Sequence, residues 1–306
     1  MTAPPDAARA SSRGVLYGLL VALVTLLAFR SILAGAFVYD DLLLVAHNPL
    51  VASFGNLGEA FARPYWEGLD PDGSGTVGLW RPLTTVALMI GHALGGGAPA
   101  GFHWVSLLLH LAAALAALRL ATCVTGRPAV GLWTALLFAV HPVHVESVAW
   151  ISGVCDPLAG VCGLLALSSF WSWRTGERGG VPWAAGLWFL LGLLAKETAL
   201  ATLPMVLVLD LLAPASERRA RLRGWFPLVL AFVLYTFARM LVFGELTAGF
   251  LMVTTGFEVS AGRLAALRVE LLGGFLQLLA WPLELNLFRP FHPELPEGDP
   301  TLAVAA

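Results

Sequence analysis

The stretch that decides the fold covers residues 181–213 and reads VPWAAGLWFLLGLLAKETALATLPMVLVLDLLA. It is apolar almost throughout, yet Lys196, the only lysine of the chain, stands beside Glu197 near its middle. Ionised side chains are costly inside a lipid bilayer, so those found there usually face a cavity, a partner or a substrate. The stretch therefore predicts a membrane-embedded helical hairpin that turns at a buried polar site.

The composition of the whole chain favours a membrane protein. Of its 306 residues, 58% are hydrophobic and 12% are charged, and the mean hydropathy is +0.78. Soluble domains carry roughly 25% charged residues, so an ordinary soluble fold is excluded. The net charge of −2 and the lack of a basic stripe argue against a nucleic-acid partner. The three cysteines have no metal-type spacing.

Apolar runs that are long enough, or nearly long enough, to cross a bilayer predict the helices. They lie at about 14–34, 102–121, 129–145, 157–173, 181–195, 198–213, 224–243 and 266–283. The sequence therefore predicts an all-α polytopic membrane protein with about seven or eight transmembrane helices.

Arginines orient these helices. They fall on one side of the membrane if the N-terminus is cytoplasmic, as the positive-inside rule requires. They are Arg9, Arg13, Arg119, Arg127, Arg174, Arg178, Arg218, Arg219, Arg221 and Arg223. The acidic residues of the predicted outer loops fall on the opposite side. We therefore predict an integral membrane protein with a cytoplasmic N-terminus and an extracytoplasmic site, and the arginine-rich composition favours a bacterial inner membrane.

This topology divides the chain into a cytoplasmic tail (1–13), a transmembrane domain (14–285) and a C-terminal tail (286–306). The domain has two outer loops, at 35–101 and 141–156. The first apolar run also resembles a secretory signal, but it is somewhat long for that role, so we favour a retained span. The last run is the least secure, because its arginines would lie outside, and a helix along the membrane surface is the alternative.

Several predicted helices are too short to reach both membrane surfaces. The third run has residues 129–140 before a proline, about 18 Å of helix against a hydrocarbon core of about 30 Å. The two arms of the hairpin have about 15 residues each, or about 22 Å. Helices that stop short predict a water-filled funnel, whose floor would be built from residues 141–156 and from Lys196 and Glu197.

The first outer loop opens with two adjacent carboxylates, Asp40 and Asp41. Adjacent carboxylates repel each other, so one pKa should rise or a cation should bind between them. The first outcome suits a general base and the second a divalent metal ion. The alternative is a solvated helix start, since aspartate caps helices well. Asp40 and Asp41 are therefore candidate catalytic residues and candidate metal ligands.

The second outer loop concentrates polar residues after a truncated helix. His141, His144 and Glu146 lie around Pro142, which breaks the helix, and Asp156 follows. Alternating spacing without a third nitrogen or sulfur ligand is weak evidence for zinc. We predict that these side chains line a donor or acceptor pocket, and the alternative is a polar interfacial loop.

Three cations are candidates for binding a phosphate. Lys196 could present its ammonium as a point charge, or it could pair with Glu197 and simply close the hairpin. Arg239 lies about a turn from the outer end of the seventh run, where snorkelling to the surface is the alternative. Arg81 precedes the second run and could anchor the first loop. Glu197 is placed with the pocket residues.

Five motifs occur in one order along the chain. They are Tyr39-Asp40-Asp41, Trp80-Arg81-Pro82-Leu83, Phe102-His103 through Leu109-His110, His141-Pro142-Val143-His144-Val145-Glu146, and Leu194-Ala195-Lys196-Glu197-Thr198 with Asp210. This ordered set resembles the membrane half of the tetratricopeptide-repeat transmembrane O-mannosyltransferase family, one of the GT-C glycosyltransferases. The resemblance covers about residues 14–285 and implies a GT-C-like helical bundle with a long first outer loop.

The resemblance also implies a chemistry. It is the transfer, with inversion, of a sugar such as mannose from a polyprenyl-phosphate donor to an extracytoplasmic acceptor such as a protein hydroxyl. Asp40 and Asp41 match the motif that supplies the base in such enzymes. His144 and Glu146 match the motif that shapes the pocket, and the donor phosphate would meet the cation at Lys196. Arg239 matches a second positive position.

The chain departs from the family pattern in three places. Val154-Cys155-Asp156 replaces an Arg-Ala-Asp run, an expected Asp-Asn-Pro segment is absent from residues 244–260, and the repeats are missing. A non-catalytic paralogue is therefore one alternative to an enzyme. A flippase or transporter for a polyprenyl-linked lipid is another, because intramembrane charges also mark transport pathways. The internal repeats common in transporters are not evident.

Overall fold

A computed structural model describes residues 5–69, 78–176, 180–213, 221–245, 261–283 and 285. Within these ranges the chain forms helices and no β-strand, which confirms the all-α prediction. The helices are α1 (Pro5–Phe29), α2 (Leu57–Ala62), α3 (Pro82–Gly95), α4 (Pro99–Thr125), α5 (Pro128–Val140), α6 (Val145–Ala149), α7 (Cys155–Arg174), α8 (Trp183–Ala195), α9 (Thr202–Leu212), α10 (Arg221–Phe243) and α11 (Ala261–Ala280).

Short helical turns join several of these helices. The 3-10 turns are Arg30–Ala34, Phe54–Asn56, Pro142–His144, Ile151–Val154 and Glu197–Ala201, and Leu42–Ala46 forms a π-helical turn.

The polytopic membrane class is confirmed. Four stretches are long and apolar enough to cross a bilayer: Arg13–Ala34, Pro99–Thr125, Ile151–Arg174 and Leu222–Phe243. A fifth is the pair Pro128–Val140 and Pro142–Ala149, which is bent by 50°. Within the described residues the count is therefore four or five long spans rather than seven or eight. The hairpin arms account for part of the difference, because α8 has 13 residues and α9 has 11.

Apart from α1, which begins earlier, the helices that match predicted apolar runs begin and end within a few residues of them. Most of the predicted N-terminal tail, 1–13, is helical because α1 begins at Pro5. The first outer loop, 35–101, contains α3, a 14-residue helix that was not predicted. The signals were present, since Pro82 begins the helix and Gly96 ends it in the left-handed conformation, with φ 57°. The C-terminal tail, 286–306, lies outside the described residues.

Helix α7 lies at the centre of the bundle and packs against α4, α8 and α9. Its core with α8 and α10 includes the fully buried Phe170, Phe189 and Leu228. Helix α3 packs against α4 so closely that a Cβ atom on Gly91 or Gly95 would collide with α4. This packing fixes the start of α3 against the hairpin, where the Thr84 hydroxyl donates a 2.8 Å hydrogen bond to the Ala195 carbonyl.

Candidate functional site

The segment that begins α7 connects the first loop to the hairpin. Ser152 donates two hydrogen bonds to Asp41 Oδ1, at 2.8 Å from its backbone nitrogen and 2.6 Å from its hydroxyl. The Val38 N–H donates to Asp41 Oδ2 at 3.0 Å. Shortly after Ser152, Asp156 Oδ1 lies 2.5 Å from the Lys196 ammonium. One short segment thus contacts both the first-loop carboxylate and the hairpin cation.

The two adjacent aspartates have different environments. Asp41 is fully buried and accepts hydrogen bonds on both oxygens, which fixes its orientation. Asp40 is partly exposed, and burial followed by the Asp41 charge raises the pKa of its carboxyl group. Between the first span and this pair, Tyr39 adopts a left-handed backbone with φ 48°, which is rare for tyrosine. Of the two carboxylates, Asp40 is therefore the one open to a substrate.

Lys196 and Glu197 do not pair with each other, so the interpretation of an internal ion pair is wrong. Lys196 has an extended backbone, with φ −157° and ψ 139°, and successive side chains on extended backbone point in opposite directions. Lys196 therefore reaches Asp156, while Glu197 Oε2 lies 2.9 Å from Arg81 Nη2 and 3.0 Å from its Nε. The hairpin is tied to the starts of both α7 and α3.

The other two predicted cations are Arg81, just before α3, and Arg239, on α10. Burial lowers the pKa of Arg81, but the charge and hydrogen bond of Glu197, together with Cys155 and Tyr65, outweigh this and the net shift is upward. Arg239 is 7% exposed and its Nη2 donates a 2.6 Å hydrogen bond to the Gly78 carbonyl. It therefore does not snorkel to the surface. Tyr235, one turn earlier on α10, interacts with the charges of Glu197, Arg239 and Arg81.

The predicted pocket histidines lie in an aromatic cluster at the break after α5. The His144 ring centroid is 4.3 Å from that of Phe138 and 5.0 Å from that of His110. His141 Nε2 donates a 3.0 Å hydrogen bond to the Leu279 carbonyl of α11. These contacts brace the bent helix against α4 and α11. A role for His141 and His144 in a sugar pocket stays a prediction.

Within the described residues, no group of three or more His, Cys, Asp or Glu side chains is placed to hold a metal ion. Both oxygens of Asp41 already accept hydrogen bonds from the protein. A metal-binding role for Asp40 and Asp41 therefore stays a prediction. Glu146 is exposed in the first turn of α6, and its place in the pocket is likewise a prediction.

One arginine used to orient the chain is not a loop charge. Arg174 lies in the last turn of α7 and is 1% exposed. Its Nε is 2.8 Å from Asp210 Oδ1 on α9, and the Trp225 indole donates a 3.4 Å hydrogen bond to Asp210 Oδ2. A buried ion pair thus lies at the end of α7 opposite to Asp156.

Two residues of the site were not predicted from the sequence. Ser152 gave no signal, because a single serine in an apolar turn matches no catalytic motif. Tyr65, in the unassigned middle of the first loop, is buried with its ring centroid 5.8 Å from Arg81 Cζ. An aromatic residue in a polar loop indicates that Tyr65 is buried, but it does not predict which residue Tyr65 contacts.

The chain is similar to several animal proteins. The chain is 34% identical over 205 residues to Protein O-mannosyl-transferase Tmtc2 of Drosophila melanogaster. It is 32% identical over 220 residues to Protein O-mannosyl-transferase TMTC4 of Mus musculus, and 29% identical over 247 residues to Protein O-mannosyl-transferase F38B6.6 of Caenorhabditis elegans. The three alignments cover 64%, 63% and 78% of this chain.

The same alignments cover 22%, 29% and 34% of the respective relatives, so the chain spans about a third or less of their length. No family model and no solved structure matches the chain. The relatives carry the family name that the five ordered motifs predict. The resemblance is thereby confirmed: over about two thirds of its length, this chain is similar to animal protein O-mannosyl-transferases.

Proposed function

We propose that the chain is an integral-membrane glycosyltransferase that moves mannose from a polyprenyl-phosphate donor to a protein hydroxyl on the extracytoplasmic side. One observation carries the proposal. The segment from Ser152 to Asp156 contacts Asp41 at one end and Lys196 at the other, so one short segment joins the carboxylate to the cation. The names of the relatives support mannose as the sugar and protein as the acceptor. Since these relatives are animal proteins, they do not support a bacterial inner membrane.

The different environments of the aspartates assign the acid–base roles. Asp40 accepts the proton of the acceptor hydroxyl, whose oxygen attacks the anomeric carbon of the sugar. The bond from that carbon to the phosphate oxygen breaks, and its electron pair leaves with the polyprenyl phosphate. Direct displacement from the opposite face inverts the configuration. Asp41, held by Ser152 and Val38, positions Asp40 and does not take the proton.

The cations stabilise the leaving phosphate as its charge develops. Without a donor, Lys196 and Arg81 are neutralised by Asp156 and Glu197. These side chains are 15% to 39% exposed, so water and a phosphate can reach them. In the proposed reaction the phosphate takes the place of Asp156 as the partner of Lys196, while Glu197 stays paired with Arg81.

The test uses the full chain in membranes supplied with labelled polyprenyl-phosphate mannose and an acceptor protein. We expect label on serine or threonine of the acceptor, and loss of that label in Asp40→Asn. Movement of the labelled donor across the bilayer without sugar transfer would instead identify a flippase. Transfer that is equally fast in Asp40→Asn would refute the assignment of the base.

A further inference from the structure

Two buried polar atoms near Arg81 have no hydrogen-bond partner within the part of the chain that the structure describes. They are the Tyr65 hydroxyl and Glu197 Oε1. The Tyr65 ring centroid is 5.8 Å from Arg81 Cζ, and the second oxygen of Glu197 is 2.9 Å from Arg81 Nη2. The two atoms thus belong to residues that contact the same guanidinium. A buried polar group without a partner destabilises a protein, so such groups usually meet water or a ligand.

The first loop holds Tyr65 in place from its backbone. The Tyr65 N–H donates a 2.8 Å hydrogen bond to the Leu79 carbonyl, and the Trp80 indole donates a 3.1 Å hydrogen bond to the Phe61 carbonyl. These two bonds bring the chain before Tyr65 against the chain before Arg81. Since Tyr65 is 9% exposed and its hydroxyl forms none of these bonds, the hydroxyl is available to a bound molecule.

The chemistry of the two atoms fits neighbouring hydroxyl groups. A phenol both donates and accepts a hydrogen bond, and an ionised carboxylate oxygen only accepts one. Burial raises the pKa of Tyr65, so the phenol stays protonated and neutral. A phosphate at this position would be repelled by Glu197, and an apolar ligand would leave both atoms unpaired. Tyr65 is also within electrostatic range of Asp40 and Asp41.

On the basis of the proposed function, we infer that Tyr65 and Glu197, which both contact Arg81, form the subsite that binds the hydroxyl groups of the transferred sugar. The donor phosphate is then bound by Lys196, and the sugar is recognised by hydrogen bonds with Tyr65 and Glu197. Tyr65 becomes a substrate-contacting residue that determines which sugar is accepted.

The test compares Tyr65→Phe with the wild type and with Tyr17→Phe, the same chemical change on α1. Thermal unfolding of the purified full chain is followed with polyprenyl phosphate and with polyprenyl-phosphate mannose. We expect polyprenyl-phosphate mannose to raise the unfolding temperature more than polyprenyl phosphate does in the wild type and in Tyr17→Phe. In Tyr65→Phe the two ligands should raise it equally. Without ligand, Tyr65→Phe should be as stable as the wild type, because the Tyr65 hydroxyl has no hydrogen-bond partner among the described residues. The transfer rate at low donor should fall about tenfold or more.

Donors that lack one sugar hydroxyl identify the group that Tyr65 contacts. One deoxy donor should be poor for the wild type, and Tyr65→Phe should use it as well as it uses the parent donor. A Tyr65→Phe protein that is less stable without ligand and still responds to mannose would overturn the inference, because the hydroxyl would then have a structural role. A mannose-dependent shift in a wild type that transfers no sugar would refute the proposed function while leaving the subsite intact.

Discussion

The two ends of α7 each carry an ion pair, and the two pairs differ in exposure. At the last turn, Arg174 and Asp210 have side chains that are 0% and 3% exposed. At the first turn, Asp156 and Lys196 are 39% and 21% exposed. The Trp225 indole also donates a hydrogen bond to Asp210 of the buried pair, so the protein encloses both charges. The open pair lies beside a second open pair, Arg81 and Glu197.

This difference separates a structural role from a functional one. Two charges removed from water lose hydration, so a buried pair is stable only while both partners remain. An open pair contributes little to folding, but its members can exchange their partner for a ligand at small cost. The end of α7 near Asp156 therefore suits binding, and the end near Asp210 suits the attachment of α9 to α7. Each of the following predictions tests one side of this comparison.

The largest effect on folding is expected at the buried pair. Arg174→Ala leaves the Asp210 carboxylate buried without its partner, and the free energy of unfolding should fall by about 3–5 kcal/mol. Chemical denaturation of the purified protein measures this. Arg223→Ala removes an exposed arginine and serves as the control. The double variant Arg174→Met, Asp210→Leu should recover most of the loss, and a loss as large as that of Arg174→Ala would contradict this account.

The largest effect on transfer among the cations is expected at Lys196. Lys196→Gln removes the charge that stabilises the leaving phosphate, and the rate should fall by about 100- to 1,000-fold. Because the pair with Asp156 is open, the free energy of unfolding should change by about 1 kcal/mol or less. Sugar transfer and denaturation are measured on the same preparation, with Arg127→Gln as the control. Destabilisation as large as that of Arg174→Ala would show that both ends of α7 are structural.

Asp41 should show a smaller, mixed effect. Asp41→Asn weakens the hydrogen bonds from Ser152 and Val38, and the free energy of unfolding should fall by about 1–3 kcal/mol. It also removes the charge that, after burial, raises the pKa of Asp40. The base is active when deprotonated, so the transfer rate should rise with pH through that pKa. The acidic limb of the profile should then move to lower pH in Asp41→Asn. A shift to higher pH would contradict the assignment of Asp40 as the base.

The smallest effect is expected from the backbone of Tyr39. Its φ of 48° costs free energy in any residue with a Cβ atom, and glycine adopts this conformation freely. Tyr39→Gly should therefore have a free energy of unfolding about 0.5–1 kcal/mol higher than that of Tyr39→Ala. Tyr39→Ala, which removes the ring but keeps the Cβ atom, is the matched control. A Tyr39→Gly protein less stable than Tyr39→Ala would show that the left-handed turn is not strained.

The sequence predicted the helices well because apolar length is a local property. The run at 14–34 corresponds to the span Arg13–Ala34, and the break before Pro142 is a 50° bend. Helix α3 is shorter than a bilayer span, so apolar length does not predict it. Capping residues at its two ends would have identified it as a short helix.

The partners of the charges could not be read from the sequence. Lys196 and Glu197 are neighbours, yet the extended backbone at Lys196 sends them to Asp156 and Arg81, which are distant in sequence. The apolar run at 157–173 places Arg174 in a loop, whereas α7 includes Arg174 in its last turn. The adjacency of the carboxylates at 40 and 41 makes them candidate site residues, but only their burial and hydrogen bonds distinguish the fixed Asp41 from the more exposed Asp40.

The most direct test is the transfer rate per folded molecule of Asp40→Asn. The raised pKa of Asp40 means that the folded state binds its proton more tightly than the unfolded state, so the ionised form opposes folding at neutral pH. Asparagine should therefore leave stability unchanged or slightly higher, while transfer falls by about 100- to 10,000-fold. A folded Asp40→Asn protein that still transfers mannose at the wild-type rate would contradict the account.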